Sequence, residues 1–190
     1  MSLNFSPSFM EIYDNSLTKS ECELLISQFE KSHTREGTLF KDGELIIDHN
    51  YKKSVELFDC LFSKSTIVSS IISTSLNKCF DRYRKKYSIL DDNMSPLKYD
   101  DLYTFKKFEG EDAGFKTWHY EHGPNDTMSK RVLVWAFYLN DAPGTDFIFY
   151  PNVSGKEGRC VIFPASFNYM HRSSPNKGIK YIVTGWFSYA

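Results

Sequence analysis

KRVLVWAFYLN, Lys130 to Asn140, is a run of β-branched and aromatic residues closed by the turn-forming DAPG, Asp141 to Gly144. Such residues suit a pleated, packed surface, so the run reads as a strand. Five further segments have the same texture: DLYTFKKF (Asp101–Phe108), GFKTWHYEH (Gly114–His122), TDFIFY (Thr145–Tyr150), GRCVIFP (Gly158–Pro164) and IKYIVTGWFSY (Ile179–Tyr189). Turn-rich pieces separate them: EGEDAG, GPNDT, NVSGKEG and SSPNKG. Short strands at this spacing, without an internal repeat, predict an antiparallel sandwich or jelly roll.

The first hundred residues read differently. TKSE (Thr18–Glu21) fits a capping box, and Cys22, Leu25, Ile26 and Phe29 follow on one helical face. A second helix is expected from about Thr66, with Val68, Ile71, Ile72, Leu76, Cys79, Phe80, Tyr83 and Tyr87 as its apolar stripe. Between them Thr38–Phe58 holds an Asp-Gly turn and short apolar runs, a hairpin or a mobile loop. The polar stretch Ser88–Asp101 closes the helical half. The expectation is one domain over residues 1–190: helical support and a hairpin region over 1–100, and a jelly-roll catalytic core over 101–190. The fold class is mainly β with supporting α-helices packed on one side of the major sheet.

Bulk properties exclude several classes. The 190 residues are 41% hydrophobic and 16% aromatic with a net charge of −1, a globular composition large enough to bury a core. The charge totals give no case for nucleic acid, and the basic run Asp81–Tyr87 reads as a solvated helix face. No stretch approaches a membrane span, so no membrane role is expected. The start of the chain lacks a signal-peptide pattern, and Cys22, Cys60, Cys79 and Cys160 form no CxxC pair. Reduced thiols and a cytoplasmic location are therefore expected. The N-x-S/T tripeptides at Asn4, Asn93, Asn125 and Asn152 then carry no glycosylation meaning.

The chemistry concentrates in WHYEH. On a strand, side chains alternate, so His119 and Glu121 point one way while Tyr120 and His122 point the other. A histidine and a carboxylate two apart make a two-point metal clamp. One more histidine would give the two-histidine, one-carboxylate face of non-haem Fe(II) oxygenases. His33 and His49 lie in the helical half. His171, after the apolar strand RCVIF and before a turn, is better placed to close the site. Lys180 starts the last strand and shares a face with Ile182, Thr184 and Trp186, and an inward lysine in an apolar cavity needs an anion. Tyr138 could offer its hydroxyl to the same anion.

With these residues assembled, Tyr103 to Tyr189 resembles the catalytic domain of the prolyl 4-hydroxylase-like Fe(II)/2-oxoglutarate oxygenases. The likeness lies in WHYEH, FYLND, GTDF, GRCVIFPASFNYMHRSSP and KYIVTGW, in that order. It implies a double-stranded β-helix core, with His119, Glu121 and His171 as Fe(II) ligands. It also implies that Lys180 pairs with the distal carboxylate of 2-oxoglutarate and that Tyr138 hydrogen-bonds to it. The family often has aspartate where this chain has Glu121, whose extra methylene sets the backbone further off. It often has a tyrosine near Phe108, for which Tyr103 is another candidate.

The implied reaction consumes dioxygen, decarboxylates 2-oxoglutarate to succinate and hydroxylates an unactivated C–H bond, most naturally of a prolyl residue in a peptide or protein; ascorbate can assist. Arg131, Arg172 and Trp186 are candidates for lining the mouth, and the Thr38–Lys53 loop for gripping substrate. Competing readings are an oxygenase of small molecules or nucleic-acid bases, a non-catalytic jelly-roll binding module, and a zinc hydrolase.

Overall fold

The computed structural model describes residues 8–41, 43–60, 66–92 and 96–189. Asp42 of the expected Asp-Gly turn, and Asn4 and Asn93 of the tripeptides, lie outside them. In chain order the elements are β1 (Glu11–Tyr13), α1 (Lys19–Lys31), β2 (Arg35–Glu36), β3 (Leu39–Lys41), β4 (Glu44–Ile46), β5 (Lys52–Lys53) and β6 (Val55–Cys60). Then come α2 (Ile67–Lys86), α3 (Ile89–Asp92), β7 (Leu97–Tyr99), β8 (Leu102–Glu109), β9 (Gly114–Phe115) and β10 (Arg131–Tyr138). The chain ends with β11 (Ala142–Phe147), β12 (Val153–Gly155), β13 (Cys160–Pro164), β14 (His171–Ser173) and β15 (Ile179–Tyr189).

The expected capping box closes the start of α1: the Thr18 hydroxyl accepts from the Glu21 amide, and the Glu21 carboxylate accepts from the Thr18 amide. Thr66 and Ser69 do the same for α2. These contacts satisfy helix N–H groups that have no intrahelical acceptor.

The major sheet runs β1-β13-β10-β15-β8-β6-β2, with β7 also paired to β15, and all its pairings are antiparallel. Its two faces are both buried. Leu133, Trp135 and Phe137 of β10 and Val183 and Phe187 of β15 meet the stripes of α1 and α2. Val134, Ala136 and Tyr138 of β10 and Ile182 and Trp186 of β15 point the other way, toward Phe147 and Val153 of the small β12-β11-β14 sheet. A strand buried on both faces reads as an unbroken apolar run, which is what KRVLVWAFYLN is. Burial at roughly 25 cal/mol per Å² of apolar surface is the main stabilising force for both layers. Gly185 is required between them, because a Cβ there would lie 2.3 Å from the Trp135 ring. The fold is thus a jelly roll, mainly β, with its helices on one side.

Three expectations are corrected. GFKTWHYEH is not a continuous strand: only Gly114–Phe115 pairs regularly, with β5, and His119 then makes a single bridge to His171. The ladder stops there because the amides of Glu121 and His122 both turn to the carbonyl of Ala165, at 3.1 and 3.0 Å. TDFIFY is displaced: β11 begins inside the expected DAPG turn and ends at Phe147, whose amide is taken by Asn152 Oδ1 at 3.1 Å. Pro143 is tolerated because the β11–β12 register shifts between Ala142 and Thr145. Finally, the first half is not only helical support, since β1, β2, β6 and β7 all join the major sheet. Thr38–Phe58 contains the β3–β4 hairpin and also much of β6, which pairs with β8.

Candidate active site

The bridge between His119 and His171 is a reciprocal backbone pair, His119 N–H to His171 O at 3.0 Å and His171 N–H to His119 O at 2.8 Å. It sets the two imidazoles side by side, with ring centroids 4.4 Å apart. Each Nδ1 lies 2.9 Å from a backbone carbonyl, that of Thr117 for His119 and that of Tyr169 for His171. A carbonyl can only accept, so the proton belongs on Nδ1 and the Nε2 lone pairs are free. Both Nε2 atoms lie 3.8 Å from Oε1 of Glu121. The ligand atoms of the three residues all fall within 4.8 Å of one another.

Glu121 is held from behind. Its Oε2 accepts from Trp186 Nε1 at 3.1 Å and from Arg131 Nη1 at 3.2 Å. The Arg131 guanidinium is stacked on Trp186, 3.6 Å from the ring centre. Phe115 stacks on His119 at 3.6 Å, and Phe163 meets His171 edge-on at 5.1 Å. These contacts fix the orientation of each side chain before any ligand arrives.

The electrostatics suit a cation. Burial, and then the neighbouring imidazole, push His119 down to about 3. Burial lowers His171 too. For Glu121 burial favours the neutral acid, but the positive charges around it, His119 and His171 when protonated and Lys106 and Arg131 throughout, outweigh it and hold the group at about 2. Two neutral imidazoles beside an ionised carboxylate are the protonation states a divalent metal requires. The donor set, two nitrogens and one oxygen, fits Fe(II).

Deeper in the same pocket Lys180 is 2% exposed, and its Nζ donates to the Gly144 carbonyl at 2.5 Å. No carboxylate forms an ion pair with it among the described residues. Burial, then Lys106, push it down to about 7, with Asp146 opposing. Tyr138 is fully buried, shares a 2.7 Å hydrogen bond with Thr145 and is pushed up to about 12 by burial. Its ring and that of Phe108 flank the Lys180 ammonium. A buried ammonium with only one carbonyl acceptor suits an incoming carboxylate.

The pocket therefore brings together His119, Glu121, His171, Lys180 and Tyr138. Arg131 and Trp186 stand behind Glu121, whereas Arg172 is taken up by Asp146 at 3.4 Å and by the Trp118 ring at 4.5 Å. His33 and His49 are outside the cluster, and His122 is directed to the Arg131 carbonyl at 3.3 Å. Phe108 lines the pocket, while Tyr103 faces the helices and reaches Asp59 at 3.4 Å, so Tyr103 is not a pocket residue. Sequence reasoning missed Lys106. It lies on β8 two residues before Phe108, and strand parity alone would have turned it inward.

A second, wider cavity of about 470 Å³ opens from the same residues. It shares Lys106, Phe115, His119 and Glu121 with the inner pocket and extends under the β3–β4 hairpin to Phe40 and Leu45.

Residues 103–188 match the family model of the 2OG-Fe(II) oxygenase superfamily. Among curated proteins none matches the chain. Among solved structures, a viral collagen prolyl hydroxylase of Paramecium Bursaria Chlorella virus-1 in its 2OG complex is 15% identical with a TM-score of 0.60, covering 96% of this chain and 97% of that one. A prolyl hydroxylase of Trichoplax adhaerens, in complex with a hypoxia inducible factor peptide fragment, is 13% identical with a TM-score of 0.69, covering 95% of this chain and 84% of that one. A Pseudomonas putida prolyl-4-hydroxylase is 12% identical with a TM-score of 0.68, covering 96% and 94%.

Proposed function

We propose that this chain, whose residues 103–188 match the 2OG-Fe(II) oxygenase superfamily, is a prolyl 4-hydroxylase-like oxygenase that hydroxylates a prolyl residue of a peptide or protein. His119, Glu121 and His171 would hold Fe(II). Lys180 and Tyr138 would hold the distal carboxylate of 2-oxoglutarate, and residues 1–190 would work as one catalytic unit. When bound, the iron would activate dioxygen, the oxidant, with 2-oxoglutarate as the reductant that is decarboxylated to succinate and carbon dioxide.

The chain's own residues perform the remaining tasks. The carbonyls of Thr117 and Tyr169 keep a proton on each Nδ1, so both Nε2 atoms stay available. Trp186 and Arg131 restrain one oxygen of Glu121 and leave the other directed at the histidines. Lys180 gains a counter-ion when a carboxylate enters, and that contact positions the cosubstrate rather than the metal. Phe108, Phe163 and Ile182 wall the pocket with apolar surface and limit water at the reacting centre.

The observation that carries this reading is the pairing of the three-ligand cluster with Lys180, a buried cation without an ion-pair partner in the same pocket. A zinc hydrolase has no use for that lysine, and a binding module no use for the cluster. The prolyl substrate is favoured by the likeness to prolyl hydroxylases and by the groove beside the cluster. Cys22, Cys79 and Cys160 are free and buried, in keeping with a reducing, cytoplasm-like compartment. Among the described residues no helix is long and apolar enough to cross a membrane.

The test is succinate release from 2-oxoglutarate with Fe(II) and ascorbate, with and without proline-containing peptides. Release stimulated by peptide is expected. No turnover under any condition, together with no thermal shift on adding 2-oxoglutarate, would refute the oxygenase reading.

A further inference from the structure

The wider groove has a charge balance unlike that of the chain. The whole protein carries 23 basic and 24 acidic residues. The groove lining carries four cations, Lys41, Lys52, Lys106 and Arg131, against two carboxylates, Glu56 and Glu121. Both carboxylates are committed. Glu56 is paired with Lys52 at 2.8 Å, and Glu121 is bound by Arg131 at 3.2 Å and faces the two histidines. Lys41 lies over the Tyr51 ring, 5.4 Å from its centre.

Lys106 is the cation left over. Among the described residues its ammonium makes no hydrogen bond and no ion pair, although Glu56, whose Oε2 has no hydrogen-bond partner, stands opposite it in the β6–β8 register. It is half-buried, and it lines both the inner pocket and the groove. The proposed occupants of the inner pocket balance without it. Lys180 answers one carboxylate of 2-oxoglutarate, while Glu121 and the other carboxylate answer a divalent metal. Glu121 feels its charge, but no carboxylate oxygen closes on the ammonium, so a half-buried cation at the junction of the two cavities has room for an anion delivered through the groove.

We propose, building on the oxygenase reading, that Lys106 binds a carboxylate of the substrate: the groove takes an acidic peptide, with Asp or Glu next to the residue that is oxidised. The junction position puts that carboxylate beside the reacting residue. Phe40, Leu45, Tyr51 and Trp118 offer apolar walls for its neighbours. A cavity of about 470 Å³ with cations inside it suits side chains entering a slot. A nucleic acid would instead call for an extended basic surface along its backbone.

The experiment compares two fluorescent proline-containing peptides, identical except that the glutamate beside the proline is glutamine in one. Binding is read by anisotropy on the full chain, without cosubstrate. The acidic peptide should bind about tenfold more tightly, as a charge-assisted contact implies, and the difference should shrink in high salt. Lys106→Met should abolish the difference and Lys106→Arg should keep most of it. Calorimetric affinity for 2-oxoglutarate in Lys106→Met should not fall below the parent's, because that ligand's carboxylates are answered elsewhere and Lys180 is relieved of a neighbouring cation. Equal binding of the two peptides would overturn the proposal. So would a Lys106→Met variant that loses 2-oxoglutarate but keeps the peptide preference, or a single-stranded oligonucleotide that binds more tightly than either peptide. Failure of the parent protein to bind 2-oxoglutarate would count against the oxygenase reading alone, since the peptide comparison needs no cosubstrate.

Discussion

Trp186 Nε1 donates to Oε2 of Glu121 at 3.1 Å, and so ties the end of β15 to the loop that carries His119. The bond fixes which carboxylate oxygen faces the histidines. Trp186→Phe keeps the ring that supports Arg131 and removes only the donor. Metal affinity should fall about 10- to 100-fold, the usual cost of losing a partner that orients a ligand. Titration with Fe(II) or Mn(II) would measure it, with circular dichroism to check that the fold is retained.

Acid should affect the metal-free protein through its histidines. His119 sits at about 3 in the fold and near 6.5 when unfolded. Between those values the unfolded chain binds more protons than the native one, so stability rises with pH and is lost as pH falls from 6.5 toward 3. Urea midpoints measured across that window should decline with acid. In His119→Ala the decline should be shallower, and metal binding should be absent.

Lys180 predicts the opposite limb for the cosubstrate. At about 7 in this pocket, the group is charged below neutrality and neutral above it. A carboxylate binds the charged form, so affinity for 2-oxoglutarate should weaken by up to about tenfold per unit as pH rises beyond 7. Lys180→Met should bind 2-oxoglutarate weakly at every pH and should still bind metal. Calorimetry from pH 6 to 9 separates these outcomes.

Beneath the β3–β4 hairpin, Lys52 and Glu56 form an ion pair at 2.8 Å with almost no exposure. Lys52 also donates to the Thr38 carbonyl at 2.5 Å, and Ser54 donates to Glu56 at 2.8 Å. Lys52→Met would strand a buried carboxylate and should cost about 3–5 kcal/mol. Adding Glu56→Leu should recover most of that loss. Denaturant unfolding of the two variants checks the pair.

Much of this was legible in the chain. The last strand, Ile179–Tyr189, has the bounds its apolar run indicates, and both helices start at the expected threonines. The site was reached by joining WHYEH to His171 and Lys180. The missed features share a cause. Local pattern cannot tell which strand ends will pair, and the Ala165 carbonyl that draws off the Glu121 and His122 amides comes from a distant segment. Likewise β6 begins inside the stretch expected as a hairpin or a mobile loop, because its place beside β8 is set by tertiary pairing. Lys106 and Lys107 look alike in sequence, yet Lys107 turns out to Glu30 and Glu109 while Lys106 turns in.

The reciprocal backbone bridge between His119 and His171 bears on the order of assembly. Peptide groups set the spacing of the two imidazoles, and Phe115 and Phe163 then pack against the rings. That spacing is written into the strand pairing itself, so it forms with the fold, and any bound ion must accept the distance the backbone has already set.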